Sequence, residues 1–183
     1  MRHFLRKMTS PETTGVTRRM GRILFSWKKT IWLYGMMIPT LIWSIQAVSW
    51  RNALLAFALF VVTFCLGHTV GLHRGMIHRA FSFSPLAQKV FAYLFVHIGL
   101  GGPLAWIHMH YQRDYWQNRS DCPRYFAYRH SLLLDYFWNL HTRFVPGNPA
   151  VYGLPKKLIS DPWLVWLEKT WYWHVLGLAL LIG

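Results

Sequence analysis

Two long apolar runs constrain what this chain can fold into. Residues Ile31 to Trp50 form a run without a charged side chain, and residues Ala53 to Leu72 form a second run of the same kind. Only Arg51 and Asn52 separate them. A helix of roughly 20 residues is about 30 Å long, which matches the hydrocarbon core of a bilayer. The runs therefore predict an all-α integral membrane protein that begins with a transmembrane hairpin over residues 31–72.

Composition and charge agree with a membrane location. Hydrophobic residues make up 54% of the chain and charged residues 14%, which excludes an ordinary soluble domain. The formal net charge is +14, and residues 1–30 form a basic arm directly before the first apolar run. Such an arm is a topology signal and a contact for anionic lipids rather than a nucleic-acid site. We expect the N-terminus to be cytoplasmic and the hairpin to return residues 73–85 to the same side.

The next apolar segment is too short to cross a membrane. It starts near Leu86 and is broken by Gly99, Gly101, Gly102 and Pro103. About 12 to 14 apolar residues fall short of a span. We therefore predict a re-entrant or interfacial helix and a Gly-rich turn over residues 86–104. Residues 105–170 then form a cytoplasmic helical segment, and residues 171–183 the start of a third transmembrane helix.

Three histidines recur at steps of five residues where the second apolar run ends. They are His68, His73 and His78 in the stretch GHTVGLHRGMIHR. On an α-helix a spacing of five turns two side chains roughly 140° apart, so the spacing alone is a weak metal signal. We take His73 and His78, in the pattern HRxxxHR, as candidate ligands. His68 lies inside the predicted span, where an ionisable side chain is a functional candidate.

A second group of polar residues occurs in the stretch WIHMHYQRD. His110, Arg113 and Asp114 share one face of a helix by the i, i+3, i+4 rule. His110 could ligate a metal through nitrogen and Asp114 through a carboxylate oxygen, whereas Arg113 is permanently charged and cannot. His108 falls on the opposite face. We predict structural roles for the remaining histidines: His97, His108, His130, His141 and His174.

The order of these motifs resembles the integral-membrane di-iron fatty acyl desaturases of the delta-9 type. The stretch from Gly71 to Phe81 resembles their first histidine box. GGPLAWI resembles the lead into their second box, usually HRxHH, where Arg113 and Asp114 stand in place of the paired histidines. DPWLVWLEKTW resembles the stretch that precedes their third span. The second box of this chain is thus degenerate.

The resemblance implies a lipid-metabolising oxidoreductase that uses non-haem di-iron and O2 to introduce a double bond into an acyl chain. It implies membrane lipid, an acyl-CoA or acyl-lipid substrate, and a separate electron donor of the ferredoxin or cytochrome b5 type. The implied metal ligands are His73, His78, His110 and Asp114. Three arginines could meet an anionic head group or lipid phosphate, or could be plain positive-inside charges: Arg74, Arg79 and Arg113.

Two other interpretations stay open. The third box of such enzymes, HxxHH, does not occur in the 183 residues, so the iron set is incomplete. We expect the chain to be the N-terminal part of an enzyme and inactive alone, or a pseudoenzyme or membrane scaffold that binds no metal. A bis-histidine haem anchor is the other alternative, and it would use His68 and His97.

Overall fold

The computed structural model describes residues 21–127, 129–147 and 153–182, and most of these residues are helical. The helical fold class is therefore confirmed, whereas most of the basic arm lies outside the described residues. The elements in chain order are β1 (Gly21–Phe25), α1 (Trp27–Gln46), α2 (Trp50–Phe60), a π-helical segment (Val61–Ile77), α3 (Pro85–Val96), α4 (Pro103–Gln117), α5 (Leu132–His141), β2 (Thr142–Pro146), α6 (Lys156–Ile159) and α7 (Pro162–Ile182).

The chain divides into two compact units. The first comprises Met1–Val48 and Arg113–Val151, and the second comprises Ser49–Gln112 and Tyr152–Gly183. Helix α4 contributes its first part to the second unit and its last residues to the first. The two predicted spans fall in different units, so their pairing as a hairpin stays a prediction.

In the second unit, α2 continues directly into the π-helical segment. Together they form a helix of 28 residues, Trp50–Ile77, which is long and apolar enough to cross a membrane. Among the described residues it is the one helix that meets both conditions. The predicted end at Leu72 was wrong by about one turn, because the helix continues to Ile77 and His73 lies inside it.

Helix α1 corresponds to the other predicted span but is displaced along the sequence. It begins at Trp27 and ends at Gln46, not at Trp50. Its ends therefore include Lys28, Lys29 and Gln46, which lower its apolar character. None of its residues is buried by the rest of the protein. Most of its large apolar side chains are exposed, as expected of a lipid-facing element.

Helix α3 packs closely on the π-helical segment. It has 12 residues and is followed by Gly99 and Gly101 in left-handed backbone conformations. Its re-entrant or interfacial placement stays a prediction. A Cβ atom on Gly67 would lie 2.7 Å from the backbone nitrogen of Phe95, and one on Gly71 would collide with Phe91. Glycine at these positions permits the close approach of the two helices.

The hydrophobic core of this unit lies between these helices, α4 and the start of α7. Its fully buried members include Leu72, Phe95, Ile107, Leu164 and Leu167. Burying such side chains contributes about 1.5–3 kcal/mol each to stability. The core therefore fixes α4 against the helix that carries the first histidine box.

The first unit contains a small sheet that the all-α prediction missed. Strands β1 and β2 pair antiparallel, from Gly21 opposite Pro146 to Phe25 opposite Thr142. Beside them, Tyr125 packs on Trp138, with ring centroids 5.5 Å apart. The prediction failed here because β1 lies in the basic arm and its partner strand, β2, is distant in sequence. The sequence therefore contains no hairpin pattern that would indicate the pairing.

Candidate metal centre

The π-helical winding places the histidines of the first box on one side of the helix. In this segment backbone hydrogen bonds join residues five apart, and His78 N donates to His73 O at 3.0 Å. His68, His73 and His78 therefore form a ladder, with ring centroids 5.9 Å apart at the first step and 4.6 Å at the second. The separation expected for an α-helix does not apply, because the helix is wound more loosely.

Helix α4 adds the third predicted histidine ligand. The His110 ring lies 4.7 Å from the His73 ring and 5.1 Å from the His78 ring, measured between centroids. The Nε2 atoms of His73 and His78 lie 3.2 Å apart. One ligand atom from each of the three histidines lies within 4.8 Å of the other two. Residues from two separate motifs are thus brought together, whereas metal binding by them stays a prediction.

The donor set fits a transition metal ion. Imidazole nitrogen binds zinc, copper, iron and nickel, and metal–nitrogen bonds are about 2.0–2.1 Å long for zinc. Two nitrogens bound to one ion at the tetrahedral angle would therefore lie about 3.4 Å apart. The Nε2 atoms of His73 and His78 lie 3.2 Å apart, close to that spacing. His78 is exposed, whereas His73 and His110 are half-buried. A three-histidine site open on one side leaves a coordination position for water or substrate.

Glu168 holds the N-terminus of α4 and was not singled out from the sequence. Its Oε2 atom accepts hydrogen bonds from Leu104 N at 2.8 Å and Ala105 N at 3.1 Å. These are first-turn N–H groups that have no partner within the helix. A carboxylate at this end is also favoured by the helix dipole. Because α4 carries His110, Glu168 on α7 fixes the helix that supplies one ligand.

We expect Glu168→Ala to lower the free energy of unfolding by about 1 kcal/mol and to weaken metal binding at the three histidines, because α4 loses its cap. Glu168→Gln keeps an acceptor oxygen and should have a smaller effect. Thermal unfolding and metal titration measure the two effects. Lys169→Ala is the neighbouring control on α7. Equal unfolding temperatures for Glu168→Ala and the unsubstituted chain would show that the contact does not stabilise α4.

The other predicted site residues lie outside the three-histidine group. Asp114 and Arg113 belong to the first unit, where Arg113 Nη2 donates to Asn139 Oδ1 at 3.5 Å. Arg74 and Arg79 are exposed near the first box. Arg79 has a φ of 51°, an uncommon conformation for a non-glycine residue, directly after His78. Metal binding by Asp114 and head-group binding by the arginines stay predictions.

His68 and His97, the haem pair considered from the sequence, lie in different aromatic clusters. The His68 ring packs against His73 and against Trp106, whose centroid is 5.2 Å away. The His97 ring packs against Tyr93 at 4.7 Å and His174 at 6.2 Å. His97 Nδ1 also lies 2.9 Å from Tyr93 O. These contacts favour the three-histidine site over a haem held between His68 and His97.

Known proteins similar to this chain share one activity in their names. The present chain is 28% identical over 168 residues to the sn-1 stearoyl-lipid 9-desaturase of Anabaena variabilis. This alignment covers 86% of the present chain and 57% of that protein. The chain is 30% identical over 139 residues to the chloroplastic palmitoyl-monogalactosyldiacylglycerol delta-7 desaturase of Arabidopsis thaliana, covering 72% and 35%. It is 26% identical over 140 residues to the acyl-CoA C20 Delta5-desaturase of Anemone leveillei, covering 73% and 43%.

The chain belongs to the fatty acid desaturase superfamily. The chain spans between about a third and somewhat over half of the length of these three relatives. No family model matches it. No solved structure matches it either. The superfamily nevertheless agrees with the geometry, since the two parts of the chain that resemble histidine boxes supply the three clustered histidines.

Proposed function

We propose that this chain is part of a fatty acyl desaturase, a membrane oxidoreductase of lipid metabolism, and that His73, His78 and His110 bind iron. The convergence of these three histidines from two distant motifs carries the proposal. Bound iron supplies O2-dependent removal of hydrogens from an unactivated methylene pair, chemistry that amino-acid side chains do not perform. The chain itself binds the metal and fixes the orientation of its ligands.

The histidine ladder and α4 have separate tasks in this proposal. The π-helical segment presents His73 and His78 on one side of the helix. Helix α4, capped by Glu168, brings His110 to them from the second motif. Three histidines do not complete a di-iron centre, so further ligands are required in the complete enzyme. Within this chain, we propose Asp114 as an additional ligand, through a carboxylate oxygen.

The substrate and partners follow from the relatives and from the charges near the site. The relatives are named for acyl-CoA or acyl-lipid substrates. Arg74 and Arg79, together with Arg113, would meet the anionic head group of the acyl carrier or lipid phosphates. A separate donor of the ferredoxin or cytochrome b5 type would supply electrons. No nucleic-acid partner is part of this proposal.

The helix Trp50–Ile77 would anchor the protein in the membrane. Its final turns carry His73, so the metal site would lie at the membrane boundary, where an acyl chain can reach it. The basic arm before residue 31 would keep the N-terminus cytoplasmic. The histidine boxes would then face the cytoplasm, the side from which soluble electron donors approach.

Lipid analysis in cells without a desaturase of their own tests the proposed activity. A complete enzyme that contains these residues and is supplied with a reductase is expected to produce unsaturated acyl chains. His73→Ala should abolish the product because it removes a ligand at the centre of the ladder. Residues 1–183 expressed alone are expected to give no product, since three histidines are too few for two irons.

The pseudoenzyme interpretation has one observation in its favour, because Arg113 and Asp114 replace the paired histidines of the second box. It predicts that the chain binds no metal and that the complete protein forms no unsaturated product. Product from the complete enzyme that disappears with His73→Ala would exclude it. Equal lipid profiles in cells with and without the complete protein would contradict the desaturase proposal.

A further inference from the structure

His68 is the first histidine of the ladder and lies outside the box that resembles the desaturase motif. Its Nδ1 and Nε2 atoms are both buried and have no hydrogen-bond partner in the described part of the chain. An imidazole always offers either a lone pair or an N–H at each ring nitrogen, and buried groups of this kind are normally paired. Both nitrogens of His68 are therefore available to a ligand.

The surroundings of His68 point to the metal site. Its ring lies nearly parallel to the His73 ring, at an interplanar angle of 19°. The His68 ring also contacts the Trp106 ring, at an interplanar angle of 83°. Trp106 Nε1 is likewise buried without a hydrogen-bond partner.

Two neighbouring side chains with unpaired polar atoms thus lie next to the three-histidine group. Trp106 precedes His110 by four residues, so both lie on the same face of α4. His68 precedes His73 by five residues, so both lie on the same side of the π-helical segment. The polar surface of the site therefore extends from His73 and His110 into the helix pair.

We propose that His68 is a fourth nitrogen ligand of the metal centre formed by His73, His78 and His110. The proposal rests on the metal-binding function inferred above and adds a ligand from within the membrane helix. Such a ligand partly compensates for the second box, where Arg113 cannot coordinate a cation. Coordination requires the His68 ring to approach from its stacked position, which a side-chain rotation can supply.

A purely packing role for His68 makes a different prediction. The centroid of the His68 ring lies 5.3 Å from that of Phe64 and 6.0 Å from that of Phe95. In a packing role, the ring would supply only aromatic contact area between these two side chains. In that case phenylalanine would replace it without any effect on metal binding. As a ligand, His68 is instead needed for its nitrogen atoms and not for its ring area.

The experiment compares His68→Phe with the unsubstituted 183-residue chain in lipid nanodiscs. Phenylalanine keeps the ring and removes both nitrogens. We expect at least a 10-fold loss of Co(II) affinity, a changed visible spectrum of bound Co(II), and less bound Fe(II) by elemental analysis. The metal-free variant should unfold at the same temperature or higher, because it buries no unpaired nitrogen. Its stabilisation by added metal should be smaller.

His97→Phe is the matched control, because His97 is also a histidine within an aromatic cluster of the same unit. It should leave metal affinity and the Co(II) spectrum unchanged. If His68→Phe also leaves both unchanged, His68 is a packing residue and the inference is overturned, while metal binding by the unsubstituted chain still supports the proposed function. If the unsubstituted chain binds neither metal, the proposed function fails and the inference fails with it.

Discussion

Replacing His110 by alanine is expected to abolish tight metal binding, with a loss of affinity of at least about 100-fold. Removing a residue that only hydrogen-bonds to a metal ligand already costs up to about 100-fold, and His110 is proposed to bind the metal directly. His110 is the only member of the three-histidine group that comes from the second motif, and its ring contacts both other histidines. Without it, the remaining histidine ligands all come from one helix, and the second motif supplies none. Competition titration with a chromophoric chelator measures the affinity for Co(II) and Fe(II).

His108→Ala is the control for this experiment. His108 lies on the same helix, two residues from His110, and is not a member of the three-histidine group. Its Nε2 atom lies 3.5 Å from Nε2 of Gln112. We expect its metal affinity to stay within a few-fold of that of the unsubstituted chain. Equal losses in the two variants would mean that the histidines do not form a shared site.

Replacing Gly71 by leucine is expected to separate α3 from the π-helical segment and to cost at least 1–3 kcal/mol of stability, the usual range for overpacking. A Cβ atom at position 71 would already collide with Phe91, and leucine adds three further carbons. The core beside Leu72 and Phe95 would open, and metal binding should weaken as the helices move. Thermal unfolding in nanodiscs and metal titration measure the two effects.

Gly177→Leu is the matched control, because it introduces the same side chain into a helix of the same unit. A Cβ atom at Gly177 meets nothing within 4 Å. Leucine favours a helix over glycine by up to about 1 kcal/mol, so this variant should be neutral or slightly stabilised. An unfolding temperature for Gly71→Leu equal to that of Gly177→Leu would contradict the close packing of α3.

The parts of the fold that composition and length determine could be predicted from the sequence. An apolar run of spanning length became the helix that contains Trp50 to Ile77, and the glycines after residue 98 ended α3 before it could reach that length. The pairing of β1 with β2 could not be predicted, because it depends on residues far apart in the chain. The boundaries of α1 also differ from the predicted run, because the helix includes the two lysines that precede Ile31 and ends at Gln46. Helix ends are the least predictable part of a helix.

The candidate site was predicted in composition but not in geometry. His73, His78 and His110 were identified by the type and order of their motifs. The five-residue spacing of His73 and His78 was a weak metal signal because an α-helix was assumed. The hydrophobic pattern does not indicate whether a helix has α or π winding. Glu168 was missed for another reason. Its role depends on a contact between α4 and α7, helices that are distant in sequence.

The loose winding of the histidine helix has a mechanical consequence. Per residue, a π-wound helix is wider and shorter than an α-helix, so rewinding it to α would lengthen the membrane segment and turn His78 away from His73. If the proposed metal is bound, its occupancy and the helix length are linked, and each influences the other. In a thicker bilayer, which favours a longer hydrophobic helix, the metal would be held less tightly. Bilayer thickness would thereby change the metal affinity of the proposed three-histidine site.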